Sequence, residues 1–349
     1  MTVRRKTDLK QSREFSNSFI EWLRGKGAVL IVTHDHPDPD SLAAAMALKH
    51  LIVVKTGQKV TIAYGGVVGR GENKVLVEKL EIELVPLEGL DLRPYQVVCL
   101  VDTQPGAGNN SLPAECKVDL VIDHHPMRKS CRACRWVDVR DDYGASATIL
   151  FEYLLAQEIS LSTKLATILF YAIKSETQDL GREWSHADRL AYLHLLPLSN
   201  NRILFDIIHP EVPREYFAAF SLAIRNARTF SDVLVFNLYD IDNPDIVAEM
   251  ADFLLRVDQI KIVLGMGHYQ GGEILSFRTL LPDIRAGKVM QEVVAGLGTA
   301  GGHGMIAGGQ IRSVAKERAA QSDLEETLIE RLLHCLKRPV SPGLPLVVD

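Results

Sequence analysis

The sequence predicts an α/β protein of two α/β domains: an N-terminal parallel-sheet domain and a smaller C-terminal one, joined by helices. Three observations carry this. In the first half, short continuous runs of β-branched residues alternate with Ala- and Leu-rich stretches, the pattern of strands covered on both faces. The alternation stops, then resumes at about residue 232. At 349 residues the chain is long enough for about two domains of ordinary size.

GAVLIVT (27–33) is rich in β-branched residues, ends abruptly in polar ones and reads as a buried strand. SLAAAMALKHLIVV follows as a helix, with Asp40 or Ser41 placed to cap it. KVTIAY (59–64), YQVVCLVD (95–102), VDLVID (118–123) and RWVDV (135–139) supply four more strands. ASATILFEYLLAQE and TKLATILFYAIKS read as consecutive helices, and the pattern stays helical from 187 to 232 despite Pro197, Pro210 and Pro213. Strand character returns at DVLVFNLYDI (232–241), is followed by the helix IVAEMADFLLRV, and continues in IKIVLGMGHY and EILSFRTL. The glycine-rich stretch GLGTAGGHGMIAGGQI comes next, and the Pro-rich tail PVSPGLPLVVD reads as a loosely ordered arm. The expected boundaries are 1–196 for the first domain, 197–231 for a helical connector and 232–349 for the second domain.

With 47% apolar and 24% charged residues the chain has material for ordinary packed cores. Lys plus Arg number 39 against 44 Asp plus Glu, a net charge of −5. That balance excludes a protein that coats long duplex nucleic acid through a basic surface. A small anionic ligand stays open, because a metal supplies positive charge locally. No run approaches the roughly 18 apolar residues of a membrane span, and the basic N-terminus lacks the apolar segment of a secretory signal. Five cysteines are an odd number, and Cys131-x2-Cys134 lacks the second pair a zinc site needs, so reduced thiols and a cytoplasmic location are expected.

The acids and histidines fall where the strands end. The first strand runs into His34-Asp35-His36-Pro37-Asp38-Pro39-Asp40, the third ends in Asp102, and the fourth ends in Asp123-His124-His125. In an open parallel sheet ligands bind outside the carboxyl ends of the strands, near the switch in strand order, so these clusters are expected to converge. One Asp at a strand end is commonly a cap or turn residue. Three strands ending in ligand-type residues point instead to divalent cations, which relieve the repulsion among crowded carboxylates. Imidazole and carboxylate without thiolate suit Mn²⁺ or a related first-row ion.

At these residues the sequence resembles the DHH phosphoesterase superfamily, through His34-x3-Asp38-x-Asp40, Asp102, the triplet Asp123-His124-His125 and Tyr143-Gly144-Ala145-Ser146-Ala147-Thr148. The C-terminal half resembles the DHHA1 domain, through Leu275-Ser276-Phe277-Arg278-Thr279 and Gly301-Gly302-His303. The resemblance implies two Mn²⁺ ions, with Mg²⁺ or Co²⁺ as substitutes. His34 and Asp38 are implied to hold one, Asp40 and His124 the other, and Asp102 to bridge them, with a bridging water as nucleophile. It gives Asp123 the orienting of an imidazole and His125 a contact to the scissile phosphate. The family's fourth motif offers an Asp; here Lys174-Ser175-Glu176-Thr177-Gln178-Asp179 stands, so Glu176 is the expected ligand and Asp179 its alternative.

Glycine lets a ligand approach backbone N–H groups closely, and successive N–H groups form an anion-binding nest. The resemblance accordingly implies substrate contacts from Gly301, Gly302, His303 and Arg278, with substrate in the cleft between domains. The expected function is a Mn²⁺-dependent two-metal phosphoesterase acting on short oligoribonucleotides or nucleotide phosphates, with no membrane partner; a homodimer is compatible. An inorganic pyrophosphatase or exopolyphosphatase is the alternative enzyme. A nucleotide-binding protein with impaired catalysis is the non-enzymatic alternative, motivated by Glu176.

Overall fold

The computed structural model describes residues 2–314 and 317–347, with residues 2–8 and His303 in backbone only. The chain divides into two compact units, Met1–Pro210 and Glu211–Asp349.

The first unit runs α1 (Thr2–Leu23), β1 (Ala28–Val32), α2 (Pro39–Thr56), β2 (Val60–Tyr64), α3 (Gly71–Lys79), β3 (Val85–Pro86), β4 (Tyr95–Val101), β5 (Leu120–Asp123), β6 (Trp136–Val139), α4 (Ser146–Ala156), α5 (Thr163–Glu176), α6 (His186–Leu195) and α7 (Asn201–Ile208). Its six strands are parallel and lie in the order β3-β2-β1-β4-β5-β6. The chain works outward from β1 to β3, then returns to the middle at β4. The direction of winding therefore reverses between β1 and β4.

One face of this sheet presents Val29, Ile31, Ile62, Val97, Cys99, Leu120 and Ile122 to the helices. Helix α2 is the central one. Its Leu42, Ala43, Ala44, Ala45, Ala47, Leu48, Leu51 and Ile52 are buried nearly all round the helix, which explains why it shows little amphipathic stripe. The other face, with Leu30, Val32, Ala63, Val98, Leu100 and Val121, is covered by loop residues such as Leu87 and Val118 and by Cys131 of the 3₁₀ turn Lys129–Ala133.

The second unit runs α8 (Arg214–Asn226), β7 (Arg228–Phe230), β8 (Val233–Asp240), α9 (Asp245–Leu254), β9 (Ile262–Tyr269), β10 (Gly272–Thr279), α10 (Ala286–Val293), β11 (Gly298–His303), β12 (Ile306–Arg312), α11 (Arg318–Cys335) and β13 (Leu344–Pro345). The strands form one mixed sheet, ordered β11-β12-β10-β9-β8-β7-β13, in which β8 and β9 are the parallel pair. Helices α10 and α11 pack on one face, α8 and α9 on the other.

Along the α11 face the apolar rows end in polar residues at one level. Val233 and Val235 lead to Asn237, Leu264 and Met266 to His268, Leu275 to Glu273, and Leu328 on α11 to Glu325. Glu325 is satisfied by Arg228 (2.7 Å), Asn237 (3.0 Å) and Tyr239 (3.3 Å). Glu273 Oε2 and both His268 nitrogens are buried without hydrogen-bond partners, although His268 Nδ1 lies 3.7 Å from Glu273 Oε2. Burial, with the charges of Glu325 and Asp240 nearby, pushes Glu273 up to about 8.

Several expectations need correction. Residues 197–231 do not stand apart as a connector: α7 belongs to the first unit, and α8 packs on β8 in the second. The glycine-rich stretch forms an antiparallel hairpin, β11 with β12. The tail is anchored where Leu344 and Pro345 pair with β7 and the Leu346 N–H donates to Ala227. Helix α1 is not evident from the sequence, because its polar and apolar residues follow no clear stripe. The cap of α2 is Asp38, whose carboxylate accepts from the Ser41 N–H at 2.9 Å with Pro39 in the first turn.

Candidate metal centre

Three adjacent strands deliver the ligand-type residues. β1, β4 and β5 are neighbours, and His34, Asp102 and Asp123–His125 stand at their carboxyl ends. Two groups come together with donor atoms within 4.8 Å of one another, His34–Asp38–Asp102 and Asp102–His124–His125. Asp102 belongs to both.

The backbone at Asp102 is left-handed, with φ 57°. Asp tolerates that region better than most residues, but it still costs on the order of 1 kcal/mol or more. The turn sets the carboxylate between two imidazoles. Oδ2 lies 3.5 Å from His34 Nε2, and Oδ1 lies 3.5 Å from His124 Nε2. Ser146 Oγ donates to Oδ1 at 3.0 Å and fixes the rotamer.

Both imidazoles are held so that Nε2 faces the centre. His34 Nδ1 lies 2.8 Å from the Asp35 carbonyl, and His124 Nδ1 lies 3.2 Å from the Tyr143 carbonyl. A carbonyl only accepts, so each Nδ1 carries a proton, and Nε2 is the atom each ring would present to a metal. His34 Nε2 is also 3.4 Å from Asp38 Oδ1.

Asp40 has a second employment. Its oxygens accept from the N–H groups of Ser146 (2.7 Å) and Ala147 (2.8 Å), the first turn of α4, while Oδ2 lies 3.8 Å from His124 Nε2. Ala145, at the helix N-cap position, makes no side-chain cap, so Asp40 supplies it from another element.

Asp123 is an orienting group. Oδ1 accepts from the His124 N–H (2.8 Å), the His125 N–H (3.2 Å) and His125 Nδ1 (2.8 Å), and Oδ2 accepts from Gln104 Nε2 (2.6 Å). The imidazole it orients is therefore His125. Glu176, half-buried at the end of α5, lies outside both groups but close enough to feel their charges. Asp179 is turned away, to Lys174 and to the Tyr192 hydroxyl.

The electrostatics are those of a site short of positive charge. Burial, together with the charges of Asp102, Glu176 and Asp38, raises Asp40 well above the usual carboxylate range. Glu176 is raised by burial and by Asp38 and Asp102. Burial opposes the charge on His34, yet Asp38 and Asp102 raise it well above an ordinary imidazole. Burial likewise opposes His125, but Asp123 and Asp102 lift it to about 9. Burial works against Asp123 as well, and its contacts with His125, His124 and Gln104 nevertheless hold it at about 2. The chain offsets its carboxylates by protonating imidazoles, a role a divalent cation fills when it displaces those protons. The donor set, imidazole and carboxylate without thiolate, fits such an ion.

Sequence reasoning did not foresee the contacts by which four residues hold the site. Gln104 braces Asp123. Tyr143 accepts from His124, and its hydroxyl is tied to Arg140 (3.1 Å) and Glu152 (3.1 Å) inside a buried network with Asp138. Asp188 accepts from the Gly144 N–H at 2.7 Å, at a glycine where a Cβ would meet the Glu183 carbonyl at 2.6 Å. Asp35 turns back to Ser111, accepting from its N–H and hydroxyl. The contacts of Gln104 with Asp123, Tyr143 with His124, Asp188 with Gly144 and Asp35 with Ser111 carry no spacing signal, because each pair is 19 residues or more apart.

In the second unit, Arg278 is buried and directed inward: Nε donates to Asp252 Oδ1 (2.5 Å), Nη1 to Ser276 Oγ (2.9 Å) and to the Phe277 carbonyl (3.1 Å). Arg278, an expected substrate contact, is thus held in an ion pair with Asp252. Gly301 and Gly302 lie in β11 at the sheet edge, and Gly302 meets α10 so closely that a Cβ on Gly287 would sit 2.3 Å from its carbonyl oxygen. Gly301 pairs with Gly308 and Gly302 with Ala307 of β12, which leaves the other side of β11 as the sheet edge. The side chain of His303 lies outside the described residues. The thiols of Cys131 and Cys134 are free and join neither ligand group. Among the described residues no helix is long and apolar enough to cross a membrane.

Comparison with known proteins agrees with this arrangement. Residues 28–173 match the DHH family, N-terminal domain, and residues 231–330 match the DHHA1 domain. An uncharacterized protein of Methanocaldococcus jannaschii is 34% identical over 319 residues, covering 89% of this chain and 64% of that protein. The chain thus spans less than two thirds of that relative's length. An exopolyphosphatase-related protein from Bacteroides fragilis superposes with a TM-score of 0.72 at 13% identity, covering 93% of this chain and 98% of its own. RecJ from Thermus thermophilus, in complex with Mn²⁺, superposes with a TM-score of 0.53 at 14% identity, covering 94% of this chain and 55% of RecJ. At these identities both establish likeness of fold.

Proposed function

We propose, from the premise that the chain belongs to the DHH family and carries a DHHA1 domain, that it is a metal-dependent phosphoesterase with two divalent ions in the first unit. One observation carries the reading: the two oxygens of Asp102 face two imidazoles held by different strands, each at 3.5 Å. A carboxylate so placed would serve as a ligand common to two divalent ions.

His34, Asp38 and Asp102 would hold one ion, and Asp102, Asp40 and His124 with Glu176 the other. Mn²⁺ suits this set, with Mg²⁺ or Co²⁺ substituting. When bound, the ions supply Lewis acidity at the phosphoryl oxygens and a water acidic enough to attack phosphorus. His125 offers its Nδ1 to Asp123, so a role as ligand through that atom would forfeit the 2.8 Å contact. Its Nε2 is the atom we assign to substrate. As an imidazolium it donates to a phosphoryl oxygen or passes its proton to the leaving oxygen. Asp123, kept ionised, holds the ring's orientation as that charge changes.

The DHHA1 domain and the net charge of −5 favour short substrates, with oligoribonucleotides of a few units and linear dinucleotides before 3′-phosphoadenosine 5′-phosphate and cyclic dinucleotides. Gly301, Gly302, His303 and Arg278 are the proposed substrate contacts of the second unit, Arg278 on exchange of Asp252 for phosphate. The likeness to an exopolyphosphatase-related protein favours a second reading, hydrolysis of pyrophosphate or polyphosphate. Five free thiols accord with a cytoplasmic setting. A Mn²⁺-supplemented panel of a diadenylate, a pentaribonucleotide, 3′-phosphoadenosine 5′-phosphate, a cyclic dinucleotide, pyrophosphate and polyphosphate separates the readings. Turnover of nucleotides alone supports the first, and turnover of the inorganic substrates alone the second. Silence with metal content verified leaves a binding protein.

A further inference from the structure

We propose that Gln104 is the positioning residue of the Asp123–His125 pair, and that it sets the orientation of His125 without touching metal or substrate. The kinetic arm of its test rests on the phosphoesterase reading; the spectroscopic arm does not.

The amide of Gln104 is 2% exposed and saturated. Nε2 faces only acceptors: Asp123 Oδ2 at 2.6 Å, the Pro126 carbonyl at 3.3 Å and the His125 carbonyl at 3.4 Å. Oε1 accepts from the Arg128 N–H at 2.7 Å and from Cys131 Sγ at 3.1 Å. A backbone N–H only donates and a carboxylate only accepts, so the amide has one permitted orientation.

Asp123 divides its donors unevenly. Oδ1 takes three, from His124 and His125, whereas Oδ2 has Gln104. Asp123 is 1% exposed, so losing Gln104 leaves a buried carboxylate oxygen without that donor. The carboxylate then rotates toward whatever donors remain, and the His125 contact is the one that shares its crowded oxygen. Gln104 also stands two residues after Asp102, and its own carbonyl accepts from Asn110 Nδ2 at 3.2 Å. The amide thus locks the loop leaving β4 to the loop leaving β5. Cys131 enters here as the thiol that steadies Oε1.

Two variants divide the two ends of the amide. Gln104→Met removes donor and acceptor; Gln104→Glu keeps an acceptor for Arg128 and removes the donor to Asp123, and it serves if the first folds poorly. Both should lower kcat by about 10- to 100-fold at nearly constant KM. Mn²⁺ affinity by calorimetry should change less than about threefold, because no contact of Gln104 reaches His34, Asp38 or His124. In a His125→Ala background, Gln104→Glu should cost less than about twofold more, the mark of two residues acting as one. In ¹⁵N-histidine-labelled protein without metal, the hydrogen-bonded Nδ1–H resonance of His125 should be present in the parent chain and lost in both variants. Parental kcat in Gln104→Glu, with Asp102→Asn inactive, overturns the proposal while the phosphoesterase reading stands. If the parent chain hydrolyses nothing, that reading falls, and survival or loss of the resonance decides the role of Gln104.

Discussion

Asp40 caps a helix that begins 106 residues further along the chain, its Oδ2 accepting from the Ser146 N–H at 2.7 Å. The same carboxylate lies 3.8 Å from His124 Nε2. A residue that sequence marks as a ligand is therefore also a structural tie between the β1–α2 corner and α4. Asp40→Ala should destabilise the metal-free protein by about 1–3 kcal/mol, the cost of a lost cap and two orphaned buried N–H groups. Denaturant unfolding in the presence of chelator measures this, and an unchanged midpoint removes the capping role.

Asp102→Asn should behave in the opposite way. Asn accepts the left-handed backbone at least as readily as Asp. The change also removes a buried negative charge from a crowded site. Metal-free stability should be equal or higher, while Mn²⁺ affinity falls by two orders of magnitude or so and hydrolysis is lost. Retained metal-dependent hydrolysis sinks the two-ion account.

Glu176→Asp restores the residue type that the DHH resemblance leads one to expect but shortens the side chain by one methylene. Glu176 lies outside both ligand groups, at the end of α5. If the helix end is set back to suit Glu, the shorter chain fails to reach. Metal content should fall from about two Mn²⁺ per chain toward one, and turnover should drop. A large gain in turnover shows instead that Glu176 impairs the centre.

Metal binding should release protons. In the metal-free protein Asp38 and Asp102 raise His34 well above an ordinary imidazole, against its burial. A ligand imidazole must be neutral, so protons compete with metal for His34. Apparent Mn²⁺ affinity should therefore rise with pH through neutrality. Calorimetry in buffers of different ionisation enthalpy counts the protons; a pH-independent affinity with no release refutes the ligand assignment of His34.

Glu273 makes a stability prediction in the second unit. Its folded value of about 8 lies above that of an unfolded carboxyl. The folded state therefore holds the proton that the unfolded state gives up. The contribution is fully present below the unfolded value, is lost as pH rises through the folded one, and is absent above about 8. Glu273→Gln cannot ionise, so it should match the parent near pH 4 and exceed it by a few kcal/mol at about pH 8. Equal stability of the two chains across that range rejects the buried, unpaired carboxyl.

The strand ends were legible because they are local: β-branched runs stopping at acids and histidines declare both the sheet and the convergence of His34, Asp38, Asp102 and His124. What stayed hidden is what one residue does to another far away. Nothing near Asp40 announces the N–H groups of Ser146 and Ala147, and nothing beside Gln104 announces Asp123. Arg278 reads as a substrate contact, and nothing beside it announces Asp252, on a different element, as its partner. Glycine density in 296–304 signals close approach correctly, but the partner is Gly287 and a neighbouring strand as well as any ligand. Helix α11 is hard to read because its exposed and buried residues form no strong stripe until Gln321, Glu325, Leu328 and Leu332 are recognised as one buried row.

Strand β13 has a consequence for self-association. Leu344 and Pro345 lie along β7 and occupy the hydrogen-bonding edge of Arg228–Phe230. Proline has no N–H to give, so Pro345 leaves an outer edge poorly suited to recruit another strand. A chain shortened before Gly343 loses this border and presents β7, with Phe230 beside it, as an unguarded edge. Such a chain should keep its metal centre and yet aggregate, with damage confined to the half of the molecule that holds no ligand.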